Sequence, residues 1–171
     1  MIFVCFNEHT KVSIFVPRDL DSRFSEREKA AVAEWLESGA SFHIMRDHPD
    51  QGIPMLGSMW GWRETGSGES RALWGEAWRK GLKDEISWAS RKDWGPDQNF
   101  LRRYVWRWAK KDAISHDSYH CKKFSNTKPF PTQREASPNN FVGSVITDNY
   151  ALGIECPQKC RPTNHKDWTY C

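Results

Sequence analysis

A chain of 171 residues, with 38% hydrophobic and 27% charged side chains, has one domain's worth of sequence and enough apolar residues for a real core, which excludes a disordered polymer. Its net charge of +3 is comfortable for a small phosphate-bearing ligand and too mild to indicate nucleic acid. No apolar run approaches the roughly 18 residues of a membrane span, and the opening Met1-Ile2-Phe3-Val4-Cys5-Phe6-Asn7-Glu8 is too short before its first charge for a signal peptide.

In chain order, Ile2-Phe3-Val4 forms a short apolar piece, followed by a polar turn at Asn7-Glu8-His9-Thr10. Val12 to Arg23 is the stretch on which the reading turns. Ile14-Phe15-Val16 predicts a strand, and the chain then presents Asp19 and Asp21, one residue apart. If that segment is extended, the two carboxylates point the same way. Paired oxygen ligands at a strand end suit a hard divalent cation that keeps positions free for water or phosphate. Arg18 and Arg23 flank the pair with positive charge, and the alternative is a polar turn with two solvated aspartates.

Ser25 and Glu28 have the spacing of a capping box. The helix it opens places Ala31, Val32, Trp35 and Leu36 on one face and closes at Gly39. Strand, acidic turn and helix in quick succession predict an α/β layer fold. Phe42 to Arg46 reads as a second strand ending in the charged corner Arg46-Asp47-His48-Pro49. The glycines around Met59-Trp60-Gly61-Trp62 mark backbone that closely approaches either a ligand or the underside of Trp60.

Thr65 to Ser70 reads as a loop. Leu73, Trp74, Ala77, Trp78 and Leu82 then have helical spacing, as do Phe100, Leu101, Tyr104, Val105 and Trp108. Asp97 falls where the dipole of this last helix favours a carboxylate. Short strands and turns follow at Ile114 to Asp117, Lys128 to Pro131 and Phe141 to Gly143. The ten tryptophans read mainly as core. Five cysteines are an odd count, so at least one is free or pairs outside the chain. Residues 150–171 form a Cys-rich tail, in which Cys156, Cys160, His165 and Cys171 have spacing open to either a zinc site or disulfides.

Arg18-Asp19-Leu20-Asp21-Ser22-Arg23 with Arg27-Glu28 and Trp35-Leu36 resembles the Asp-x-Asp region of GT-A type glycosyltransferases. Phe42 to Pro49, Leu56 to Gly61, Asp97-Gln98 with Phe100-Leu101, His116 to Tyr119, and Phe141 to Gly143 resemble, in order, the later blocks of one glycosyltransferase-like family. The resemblance spans about residues 14 to 171 and departs from the family at Ser58, where a second glycine is usual. It implies a single α/β domain, a partial GT-A-like mixed sheet with flanking helices, corresponding to the C-terminal portion of such a domain. The resemblance also implies a shortened chain that lacks the nucleotide-binding half preceding Asp-x-Asp in GT-A proteins.

The same resemblance implies Mn²⁺ or Mg²⁺ on Asp19, Asp21 and His116, bridging to the diphosphate of a nucleotide-sugar. Arg18 and Arg23 would flank the diphosphate, Trp60 and Gly61 would shape the acceptor pocket, and Asp47 and Asp97 would be the catalytic carboxylates near a sugar or protein acceptor. Two rival expectations are a non-catalytic fragment or binding module, and a phosphohydrolase with Asp19 as nucleophile.

Overall fold

The computed structural model describes residues 13–65, 72, 75–76, 78–81, 83–84, 95–146 and 151–171. The expected apolar piece at Ile2-Phe3-Val4, the turn at Asn7 to Thr10, Cys5, the loop residues 66–70 and the helical positions Leu73, Trp74, Ala77 and Leu82 lie outside them.

The sheet is built around β2, Phe42–Arg46, whose residues are all buried. A strand buried on both faces carries no polar alternation, and Phe42-His43-Ile44-Met45-Arg46 has none. On one side β2 pairs antiparallel with β3, Trp60–Arg63. On the other it pairs in parallel with β4, Ala113–Asp117, in register from Phe42 opposite Ala113 to Arg46 opposite Asp117. β1, Ile14–Phe15, lies antiparallel on the outer edge of β3, and β5, Thr127–Lys128, lies parallel to β4. The order is β1-β3-β2-β4-β5, a mixed α/β sheet.

Helix α1, Glu26–Ser38, covers one face. Ser25 caps it by accepting a hydrogen bond from the Glu28 N–H, and Gly39 ends it at φ 81°, a left-handed value that glycine adopts without a Cβ penalty. The expected capping box is only half made. The Glu28 side chain turns inward to form an ion pair with Arg18. On this face Ala31, Met45, Met59, Phe130 and Val142 form one apolar cluster.

The opposite face is covered by a helical segment made of α2, Pro96–Phe100, a π-turn at Leu101–Val105, and α3, Trp106–Ala109. Phe42, Ile44, Trp60 and Trp62 pack there against Phe100, Leu101, Val105 and Ala109. A π-turn inserts one residue into the helical ladder, so the buried stripe after it runs through Val105 and Ala109 instead of reaching Trp108. Each fully buried large apolar side chain contributes about 1.5–3 kcal/mol, and Trp62, Ile44 and Val105 are all of this kind.

Of the short strands and turns expected late in the chain, Ile114 to Asp117 falls within β4 and Lys128 ends β5. Phe141 to Gly143 is a turn, with Gly143 at φ 88° and Asn139 at φ 57°, and among the described residues it pairs with no strand. The tail resolves its two options in favour of disulfides. Cys121 bonds Cys160 and Cys156 bonds Cys171, with Cα–Cα separations of 5.5 and 5.9 Å. The four-ligand set Cys156, Cys160, His165 and Cys171 is therefore not available to zinc, because Cys160 is paired with Cys121 in another part of the chain. Among the described residues no helix is long and apolar enough to cross a membrane.

The Cys121–Cys160 bridge closes a sequence separation of 39 residues, for which loop-closure entropy gives about 4 kcal/mol. Paired replacement Cys121→Ser with Cys160→Ser should therefore cost about 2–4 kcal/mol in urea unfolding. It should also cost more than the pair Cys156→Ser with Cys171→Ser, whose separation is 15.

Candidate functional site

The Asp-x-Asp segment is a turn and not a strand end. Asp19 accepts a backbone hydrogen bond from Ser22 at 3.2 Å, and β1 stops at Phe15, before Pro17. Strand alternation therefore does not relate the two side chains. Both aspartates are exposed, and the turn is fastened from three directions. Ser58 Oγ donates to Asp19 Oδ2 at 2.6 Å. The Ile146 N–H donates to the Asp21 carbonyl at 2.7 Å. Beneath it, Arg18 donates to the Ser58 carbonyl and pairs with the buried Glu28.

Arg18 therefore faces inward, and burial lowers its pKa to about 10 against the pull of Asp19. It braces the turn from below, whereas Arg23 is exposed beside it. Ser58 sits at a negative φ, since the non-glycine residues at positive φ are Asn126 and Asn139. Serine there is unstrained, and its hydroxyl holds Asp19.

Asp47 lies at the carboxyl end of β2 and is fully buried. Its Oδ1 accepts from Arg27 at 2.9 Å, Ser118 Oγ at 2.5 Å and Arg134 at 3.2 Å. Its Oδ2 accepts from Arg27 Nε at 2.8 Å and the Val142 N–H at 2.9 Å. A carboxylate offers about four lone-pair sites, so these donors saturate it. Burial alone would raise its pKa, but Arg27, Arg134 and Ser118 outweigh that and hold it below the ordinary carboxylate range. A carboxylate so held accepts no further proton from a substrate. Asp47 is the hub that ties α1, β2, the β4 end and the Val142 turn together.

One register position along, Arg46 pairs with Asp117 at 2.6 Å, both fully buried, and lies over the Phe124 ring at 4.1 Å. Two ion clusters therefore sit side by side at the carboxyl ends of the parallel strands β2 and β4. Open α/β sheets bind ligands outside this end.

His116, expected with the aspartates, belongs to a different chain of contacts. Its Nδ1 meets His43 Nε2 at 2.8 Å and its Nε2 meets Glu34 at 2.9 Å, while the other Glu34 oxygen pairs with Lys128. Burial would raise the Glu34 pKa, yet Lys128 and His116 hold it below its usual value, so it accepts as a carboxylate. His116 must then donate through Nε2 and accept at Nδ1, and His43 must donate through its own Nε2. That leaves His43 Nδ1 a bare acceptor, and it is indeed buried without a partner. Both His116 nitrogens are thus engaged.

Among the described residues no three His, Cys, Asp or Glu side chains form a metal-holding group. The donors present at the turn are the two exposed carboxylates, one anchored through a single oxygen. Carboxylates are a donor type that a hard divalent cation accepts, and His116, with both nitrogens engaged elsewhere, is not among the donors.

No family model, curated protein or solved structure matches this chain.

Trp60 and Gly61 lie inside β3 and are buried. Trp60 is buried against Phe15 and donates its Nε1–H to the Gly57 carbonyl at 3.2 Å. Gly61 is required because a Cβ there would stand 2.9 Å from the Trp35 ring. Asp97 occupies the first turn of α2, away from the Asp47 hub, next to residues that line a hollow of about 270 Å³ between Ile53 to Met55 and Arg102.

Residues to which sequence reasoning gave no site role carry much of the site: Arg27, Glu34, Ser58, Ser118, Lys128 and Arg134. For two of them a signal existed. Arg27 and Glu34 occur at i−4 and i+3 from Ala31, on the apolar stripe of α1, and a charged residue on an apolar stripe needs a buried partner.

The buried imidazoles give a pH dependence of definite sign. Burial lowers the His116 pKa from 6.5 to about 4, although Glu34 acts in the opposite direction. Between those two values the unfolded chain binds a proton that the folded one does not, so stability falls as pH drops through that window, by about 3 kcal/mol. His43 is displaced in the same direction, first by burial and then by His116. Below about pH 4 the protonation of Asp47 adds to the loss, since its depressed pKa contributes stability only while it stays ionised. Urea midpoints at pH 7, 5.5 and 4.5 should decline steadily, and a flat profile would contradict the neutral His116–His43 pair.

Proposed function

We propose that this chain is a GT-A-like glycosyltransferase module whose Asp19–Ser22 turn holds a divalent cation, Mn²⁺ or Mg²⁺, against the diphosphate of a nucleotide-sugar. The observation that carries the reading is a turn whose backbone is fastened by the Ile146 N–H and braced by the Arg18–Glu28 pair, with the exposed Asp19 carboxylate held by Ser58 and the Asp21 carboxylate exposed beside it. A turn whose backbone is fixed before the ligand arrives spends less binding energy on ordering the groups it carries. When bound, the cation neutralises charge that develops on the leaving diphosphate.

The chain's own residues divide the work. Asp19 and Asp21 bind, Ser58 sets the direction of the Asp19 carboxylate, and exposed Arg23 offers a charge to phosphate. Asp47 acts at a distance, as the hub that fixes the strand ends behind the site. Asp97 is the remaining acidic candidate on the acceptor side, being partly exposed. His116 has no ligand role in this reading. The mixed sheet with helices on both faces is compatible with a GT-A-like domain, and the two disulfides suit an oxidising compartment.

The test is thermal unfolding with Mn²⁺ and a panel of UDP- and GDP-sugars. A donor that binds raises the melting temperature in a metal-dependent way. Asp21→Ala should abolish that rise, and Ser58→Gly should weaken binding about tenfold, the loss expected for one hydrogen bond to a charged group. Equal shifts in the parent and in Asp21→Ala would remove the cation role, and no shift with any donor would remove the transferase reading.

A further inference from the structure

The disulfide-tied tail forms a hollow with the sheet edge that none of the foregoing chemistry uses. Its volume is about 360 Å³, at the lower end of ligand-site sizes. One wall is the run Pro129-Phe130-Pro131 following β5. The other is the segment from Pro162 to Trp168, with Asn164, His165 and Trp168 turned to the space. Glu34 and Lys128 complete the lining.

Each wall is held in place. The tail is stapled by Cys121–Cys160 and Cys156–Cys171, and Arg161 donates to the Cys156 carbonyl at 3.1 and 3.0 Å and to the Lys166 carbonyl at 3.1 Å. His165 stacks flat on Trp168, with ring centroids 4.2 Å apart and planes 11° from parallel. Glu34 is fixed from behind by the His43–His116 chain and from the side by Lys128.

The chemistry of the lining narrows the ligand. The one acidic and one basic side chain already pair with each other, so the hollow presents no unmatched charge for a phosphate or a metal ion. What remains is flat apolar surface from proline and tryptophan, beside an amide, the Thr163 hydroxyl and a carboxylate with accepting capacity left on both oxygens. Apolar faces alternating with planar hydrogen-bonding groups match the C–H faces and equatorial hydroxyls of a sugar ring.

We propose that this hollow binds a neutral glycan of roughly one or two sugar rings, stacking on the Trp168 side and hydrogen-bonding to Glu34 and Asn164. The proposal stands apart from the transferase reading, since it uses neither aspartate of the turn and no cation. A chain inactive in transfer would still bind the glycan here.

Ligand-observed saturation-transfer NMR on the full chain tests it, with maltose, mannobiose and lactose as neutral probes and a heparin disaccharide as the anionic one. At least one neutral probe should show transfer to its ring protons with an affinity on the order of millimolar, without added metal. Trp168→Ala and Asn164→Ala change only partly or fully exposed side chains, and each should weaken that binding about tenfold while the melting temperature holds. Glu34→Gln should weaken it as well, and Asp21→Ala should leave it unchanged. Silence from every neutral probe, binding by the anionic probe only, indifference to Trp168→Ala and Asn164→Ala, or loss in Asp21→Ala would each overturn the assignment.

Discussion

The bidentate pairing of Arg27 with Asp47 organises the rest of the molecule. Arg27 comes from α1 and Asp47 from the end of β2, and Arg134 and Ser118 add donors from the chain after β4. A buried carboxylate is expensive to desolvate, and its cost is offset only if every lone pair finds a donor in good geometry. Asp47 meets that condition through five contacts from four residues, so the elements that carry those donors have little freedom to move apart. Arg27 also lies over the Phe130 ring at 4.3 Å, which joins the ion cluster to the apolar layer beneath α1.

That constraint reaches the Asp19–Ser22 turn through the first turn of α1. Glu28 is the next residue after Arg27, and its inward pairing with Arg18 draws the turn onto the helix start. Ser58, from the loop that enters β3, fixes it on the opposite side. The exposed aspartates therefore stand on a rigid support although they are themselves in solvent. A loop mounted on a fixed scaffold is the usual position for binding groups, and the support here is made of buried charge.

The same logic separates His116 from the aspartates. A histidine near the end of a strand in an acidic sequence context resembles a metal ligand by sequence order. Its register opposite Met45, however, turns it to the α1 face, where Glu34 and His43 take both nitrogens. Trp60 follows the same pattern: an aromatic beside glycines reads as part of a ligand pocket, but β3 is packed on both faces and buries it. Ser58 shows the converse, a departure from the usual second glycine that supplies the hydroxyl holding Asp19.

Local signals sufficed where local forces decide. The helix from Ser25 to Gly39 was legible because its cap, its stripe and its terminal glycine act within a few residues of chain. β2 was legible to the residue because a run buried on both faces must be apolar or compensated throughout. Helical character from Phe100 to Val105 was legible too, but the π-turn that moved its buried face was not, because it answers to packing on the sheet. Composition alone pointed to enough apolar residues for a core and to an odd cysteine count, and the order of strand, turn and helix pointed to α/β. The pairing of Cys121 with Cys160, the five-contact hub at Asp47, the inward turn of Arg18 and the destination of His116 were decided by the tertiary structure. Each depends on groups distant in sequence brought within hydrogen-bonding or covalent reach, and spacing along the chain holds no information about that distance.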